Sequence, residues 1–250
     1  YTGLHNTVDT PTNDVLISGF RLMLACQMLD KRLHLLNCYL LYSIPMPTRH
    51  IVKVYAPDQY YHVFNRGWNL TEIFKDEQDY CYFEQLLVRH VSPTPRNDAL
   101  GKPYRHLHPD VHLNAYCLMN NHFHLLAYQY SEKGVQLLMQ SVLTAYTMYF
   151  NKRYGRRGPL FESTFKAVII LQDSQLQHIT RYIHLNHRSY QTWQHSSYAD
   201  YLNQPRDWID AGPILELFTS KAAYKEFVTD YESLQRERDD IKHELYGRSA

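Results

Sequence analysis

The sequence predicts an α+β fold organised on a central antiparallel sheet. Three observations carry this. First, two apolar runs, Val111-His112-Leu113-Asn114-Ala115-Tyr116-Cys117-Leu118-Met119 and Leu125-Leu126-Ala127-Tyr128, meet at Asn120-Asn121-His122-Phe123-His124. Such runs read as strands, and Asn-Asn between them as a tight turn, because Asn tolerates positive φ. Second, further strand-like segments, Gln59 to Gly67 and Phe165 to Leu171, alternate with segments of helical periodicity. Third, no internal repeat, phosphate loop or Rossmann glycine pattern points to another class.

The elements follow in order. Residues 1–14 are polar and turn-rich and are expected to lack order. Residues 15–44 carry a helical apolar pattern (Leu16, Phe20, Leu24, Leu29, Leu33, Leu36, Leu40), interrupted by Arg21, Asp30, Lys31 and Arg32. No uncharged run there reaches the ~18 residues of a membrane span, so a packed or partner-binding helix is expected. Pro45-Met46-Pro47 breaks the chain. This gives an N-terminal extension over 1–45, a domain body over 46–190 that opens near Met46, and a loop and helical tail over 191–250.

Within the body, Phe74 to Val91 reads as a helix capped by Asp76 or a neighbour, with Tyr80, Phe83, Leu86, Leu87 and His90 on its apolar face. Residues 92–110, rich in Pro, Gly, Asp and His, read as a long exposed loop. Glu132 to Tyr154 reads as a helix with a buried stripe of Leu138, Val142, Ala145 and Tyr149, closed by Gly155 in the left-handed conformation. The strand at 165–171 carries Lys166. Ser174 to His187 reads as a helix capped by Asp173 or Ser174, with Leu176, Ile179 and Ile183 buried. Residues 188–212 read as loop, and a helical tail is expected from Pro213 to about Tyr246.

Composition excludes several classes. The chain has 250 residues, 44% hydrophobic, with a net charge of +1, so nucleic-acid binding needs a local basic patch rather than a global field. Cys26, Cys38, Cys81 and Cys117 are scattered, without the spacing of a zinc knuckle or a disulfide scaffold, which fits a reducing cytoplasm.

Three groups of residues carry chemistry. His122 and His124 lie two apart on a strand, so both imidazoles share one face while Phe123 anchors the other, and such a pair can hold a divalent metal. With 15 His in the chain, a pair at this spacing also arises by chance. Lys152, Arg153, Arg156 and Arg157, interleaved with Tyr149, Phe150 and Tyr154, suit a phosphate backbone with stacked bases, or equally a cationic helix end facing the macrodipole. His178, Tyr182 and Asn186 follow at i, i+4 and i+8 beside the buried stripe of their helix, where the hydroxyl and carboxamide could reach a site on a neighbouring sheet. From the helix alone, ordinary packing is the preferred reading of Tyr182.

Taken together, five blocks resemble a known family. They are Tyr61-His62-Val63-Phe64-Asn65-Arg66-Gly67, Met119-Asn120-Asn121-His122-Phe123-His124-Leu125-Leu126, Tyr149-Phe150-Asn151, Gly158-Pro159-Leu160-Phe161 and Arg181-Tyr182-Ile183-His184-Leu185-Asn186. In this order and spacing the set resembles the HUH single-tyrosine transposases, in particular the REP-associated tyrosine transposases, over roughly residues 46–230. The resemblance implies a ferredoxin-like domain and metal-dependent cleavage and transfer of hairpin-bearing single-stranded DNA through a 5′-phosphotyrosine intermediate. It implies His122, His124 and Asn186 as ligands of Mg²⁺ or Mn²⁺ and Tyr182 as nucleophile. Arg66 and Lys166 join the basic cluster as expected DNA contacts. Where the family often has Pro after the Asn, this chain has His187, so His187 or His184 is expected to add polar contacts.

The competing reading is a hairpin-DNA-binding protein of the same fold without catalysis. A histidine-based metal hydrolase unrelated to DNA leaves Arg153, Arg156, Arg157 and Lys166 without a role. A cytoplasmic, nucleoid-associated monomer or homodimer with no membrane partner completes the expectation.

Overall fold

A computed structural model of the chain describes residues 55–231. The expectations for 1–45 and for the end of the tail lie outside them. The sheet is built from β1 (Gln59–Arg66), β2 (Val111–Met119), β3 (His122–Gln129) and β4 (Lys166–Ile170). Their spatial order is β2-β3-β1-β4, and every pairing is antiparallel. Helix α1 (Glu77–Val91) connects β1 to β2, and α2 (Gly134–Arg153) connects β3 to β4. This βαββαβ path with β1 and β3 at the centre is the ferredoxin-like arrangement. Helix α3 (Asp173–His184) follows β4, then short helices α4 (Tyr198–Leu202) and α5 (Gly212–Leu215).

Strand alternation divides the side chains between two faces. On one face Tyr61, Val63, Phe123 and Leu125 are buried with Phe83, Leu86 and Leu87 of α1 and Leu138, Val142 and Tyr146 of α2. The Phe123 ring lies 5.2 Å from that of Phe83 and 6.1 Å from that of Phe161, so it anchors β3 in the core. The other face carries His62, Phe64, His122 and His124, with Phe64 paired to His124 and Arg66 to His122.

Helix ends follow local chemistry, with three departures from expectation. Asp76 caps α1 by accepting from the Asp79 amide, and Gly155 ends α2 with φ of 62°. Helix α3, however, has Gln172 at its N-cap and no side-chain cap, so neither Asp173 nor Ser174 plays that part. The α2 seam runs through Tyr146 and Phe150, while Ala145 and Tyr149 are only half-buried. The tail is not one helix from residue 213: α5 stops at Leu215, and helix resumes over 221–231.

The turn at Asn120-Asn121 forms without positive φ. Its carbonyls are instead taken up by the segment after β1. Asn121 O accepts from Gly67 N at 2.8 Å, and Asn120 O accepts from Ile73 N and Phe74 N at 2.8 and 2.9 Å. A Cβ at Gly67 would collide with the Thr71 carbonyl oxygen, so this stitch requires glycine. It fixes the turn immediately ahead of His122.

Candidate active site

His122 and His124 share one face of β3, with ring centroids 5.2 Å apart. Above them lies Tyr182 of α3. Its ring meets His124 edge-on at 5.2 Å, and the residue is 38% exposed. Asn186 lies beyond the last turn of α3, after the C-cap Leu185, and not on the helix face expected for it. It still reaches the site: Asn186 Oδ1 is 3.0 Å from His122 Nε2. The chain therefore gathers His122, His124, Tyr182 and Asn186 in one place from β3, α3 and the turn that follows α3.

Proton positions bear on what this site can hold. Burial pushes His122 below its ordinary value, the hydrogen bond to Asn186 acts upward, and the Arg66 charge acts downward. The result is a neutral imidazole with one N–H. That proton faces two side-chain oxygens, Asn121 Oδ1 at 2.6 Å from Nδ1 and Asn186 Oδ1 at 3.0 Å from Nε2. A neutral imidazole donates to only one of these oxygens at a time, so one ring nitrogen keeps a lone pair. Among the described residues no group of three or more His, Cys, Asp or Glu could hold a metal by itself. Two imidazole nitrogens and one carboxamide oxygen are donors that a divalent ion can use, too few for a closed four-ligand zinc site.

Burial raises the Tyr182 hydroxyl above its ordinary 10.0; a hydrogen bond with the Asn186 side chain lowers it, and Cys117 and Tyr231 raise it further. Burial, with the His62 and His122 charges, holds His124 well below its ordinary value.

His62 was not singled out by the sequence reading. Its Nε2 lies 2.9 Å from His124 Nδ1, with the two rings stacked 5.1 Å apart. A signal existed, since period-two alternation puts His62 opposite Tyr61 and Val63. The register that brings it to His124 was not readable from the chain.

The expected DNA contacts fall into different settings. Lys166 lies over the Phe64 ring at 5.8 Å, at the edge of the histidine face. Arg66 is paired with Glu162 at 2.6 Å. Lys152 and Arg157 are exposed. Arg156 stands 5.6 Å from the Phe150 ring, and its Nη1 is buried without a hydrogen-bond partner. Arg153 is committed elsewhere: both terminal nitrogens bind the carboxylates of Asp76 and Asp79, which ties the end of α2 to the start of α1. Of the added polar contacts, His184 faces the core, bonded to Tyr224 Oη at 2.6 Å and Ser197 Oγ at 2.7 Å, and His187 stacks on Trp193 at 4.0 Å. His178 bonds Arg181 rather than turning to the site.

Residues 106–186 match the family model described as "Transposase IS200 like", a span that holds His122, His124, Tyr182 and Asn186. This bears out the family resemblance carried by the sequence blocks. A solved structure described as a REP-associated tyrosine transposase bound to a REP hairpin is similar over 61% of this chain and 84% of that chain, at 11% identity and a TM-score of 0.45. No curated protein matches the chain. Among the described residues, no helix is long and apolar enough to cross a membrane.

Proposed function

We infer that this chain, similar over residues 106–186 to IS200-like transposases, cleaves and rejoins single-stranded DNA with Tyr182 as its nucleophile. The observation that carries the reading is the convergence of Tyr182 and Asn186 on the His122–His124 face within one chain. The Tyr182 hydroxyl attacks the scissile phosphorus, an Oη–P bond forms, the P–O3′ bond breaks, and the tyrosine proton ends on the leaving 3′ oxygen. The 5′-phosphotyrosine retains the energy of the phosphodiester, so a later 3′-hydroxyl can reverse the step. Asn186 bonds the Tyr182 side chain and turns its oxygen toward His122, which orients the hydroxyl over the site. Phe123 and the Asn121–Gly67 stitch hold the strand beneath it.

His122, His124 and Asn186 are the residues that would hold Mg²⁺ or Mn²⁺. When bound, such an ion supplies neutralisation of charge developing on the phosphoryl oxygens. Lys166, Lys152, Arg156 and Arg157 are proposed to contact phosphates, and hairpin-bearing DNA is the substrate that the resemblance implies. The test is incubation of the whole chain with labelled single-stranded hairpin DNA and Mn²⁺, read on a denaturing gel. A covalent protein–DNA adduct with a free 3′ end is expected. Tight hairpin binding without cleavage would favour the silent binder instead.

A further inference from the structure

Beside the four residues of the proposed site lies a fifth side chain of the same chemistry. His62 is on β1, two residues before Phe64, and β1 runs between β3 and β4. Alternation brings His62 and Phe64 to the face that carries His124. The three rings form a block: His62 to Phe64 at 4.8 Å, Phe64 to His124 at 5.7 Å, and His62 to His124 at 5.1 Å with only 16° between planes. Tyr182 closes the block edge-on, 5.2 Å from His124 and 6.1 Å from His62. His124 is thus held on more than one side, and its orientation is not free.

The block contains one short polar contact, His62 Nε2 to His124 Nδ1 at 2.9 Å. A hydrogen bond between two ring nitrogens carries one proton, which belongs to one ring. If His62 supplies it, a neutral His124 must carry its own proton on Nε2, the nitrogen left to face the site, and that nitrogen has no lone pair to offer. If His124 supplies it from Nδ1, its Nε2 lone pair is free. A metal-bound imidazole needs a deprotonated ligating nitrogen, and the partner on its other nitrogen fixes the tautomer and raises its basicity. We propose that His62 is a positioning residue for His124: it accepts the His124 Nδ1–H through its own Nε2 and so holds His124 in the tautomer that presents Nε2 to a divalent cation. This rests on the metal-site reading above. It goes beyond that reading by assigning a role to a residue that lies outside residues 106–186, on a different strand from the ligands.

The test has two arms. In metal-free protein labelled with ¹⁵N-histidine, two-bond proton–nitrogen correlation spectra report which ring nitrogen carries the proton. His124 is expected to be protonated on Nδ1 and bare on Nε2, with assignments made from His62→Gln and His124→Gln spectra. Protonation of His124 on Nε2 overturns the proposal, and this arm does not depend on whether a metal binds. The second arm is Mn²⁺ affinity, measured by electron paramagnetic resonance titration without DNA. His62→Phe keeps a ring of similar shape and removes the acceptor, so affinity should fall about 10- to 100-fold, the cost usual for losing such a partner. His62→Gln can place an amide oxygen near the former Nε2, and affinity should return to within about threefold of the parent. Equal affinities in parent, His62→Phe and His62→Gln would overturn the positioning role. His122→Ala separates the two claims: if it binds Mn²⁺ as well as the parent, the metal-site reading itself fails and the His62 role falls with it.

Discussion

The strongest structural prediction concerns Asp79, a buried carboxylate at the first turn of α1. Its side chain has no exposed surface. It accepts hydrogen bonds from Arg153 Nη1, from Tyr149 Oη at 3.0 Å, from Tyr154 Oη at 2.8 Å and from the Lys75 amide at 2.9 Å. Asp79→Ala removes all four acceptor contacts at once. Each hydrogen bond to a charged group contributes ~1.5–3 kcal/mol, with strong non-additivity among bonds to one acceptor. The guanidinium left behind is not stranded, because Arg153 keeps Asp76 and partial access to water. The loss should therefore lie near the bottom of the ~3–5 kcal/mol range for breaking a buried pair. A loss of about 3 kcal/mol lowers Tm by roughly 6–12 °C for a domain of this size. Urea denaturation and a thermal melt followed by circular dichroism measure it. Asp79→Asn keeps the shape and should cost less. A loss under about 1 kcal/mol for Asp79→Ala would refute the view that this cluster joins α1 to α2. The same reasoning says that Arg153→Met lowers stability but leaves the salt dependence of DNA binding unchanged, since its terminal nitrogens already serve Asp76 and Asp79.

Three further outcomes are expected. His122→Ala or His124→Ala should reduce strand cleavage to background while hairpin binding, read by mobility shift, persists; parental cleavage rates in both would remove the metal assignment. Replacing Arg156 and Arg157 together with Gln should lower the slope of log K against log salt by about 1.4 on single strands, since each phosphate contact contributes ~0.7; an unchanged slope returns both residues to the helix end. His195 lies between Glu84 and Glu77, at 3.1 and 2.9 Å. Burial lowers its pKa, but the hydrogen bonds and charges of Glu84 and Glu77 outweigh burial and raise it above 6.5. A raised folded-state pKa adds stability that is complete below 6.5 and is lost as pH climbs through the raised value. The stability gap between the parent and His195→Gln should accordingly be wider at acid pH than at alkaline pH, and a gap that widens toward alkaline pH would contradict the pairing.

Local chemistry was legible in the sequence where one residue type decides. The Asp76 cap, the left-handed Gly155, the hairpin around Asn120-Asn121 and the shared face of His122 and His124 all follow from spacing and side-chain chemistry. What depended on distant partners was not legible. The turn needed no positive φ because Gly67, Ile73 and Phe74 bind its carbonyls. Asn186 meets His122 from beyond the helix end, a position that helical spacing does not describe. Arg153 looked like part of a phosphate-binding run until Asp76 and Asp79, more than 70 positions earlier, were found against it. His62 needed the β1–β3 register before its contact with His124 could be known. The short helix Tyr198–Leu202 has too few residues to show a period.

The central claim is that Tyr182, among 22 tyrosines, forms the bond to DNA. Tyr182→Phe keeps the ring against His124 and deletes only the oxygen, so folding should change by no more than about 1 kcal/mol, the usual net worth of one hydrogen bond. The direct measurement is peptide mapping by mass spectrometry of the adduct formed with hairpin-bearing single-stranded DNA and Mn²⁺, run beside Tyr182→Phe. The account predicts a nucleotide mass on the peptide containing Tyr182 and no adduct in the variant. A nucleotide on another tyrosine, or an adduct that survives in Tyr182→Phe, would contradict it.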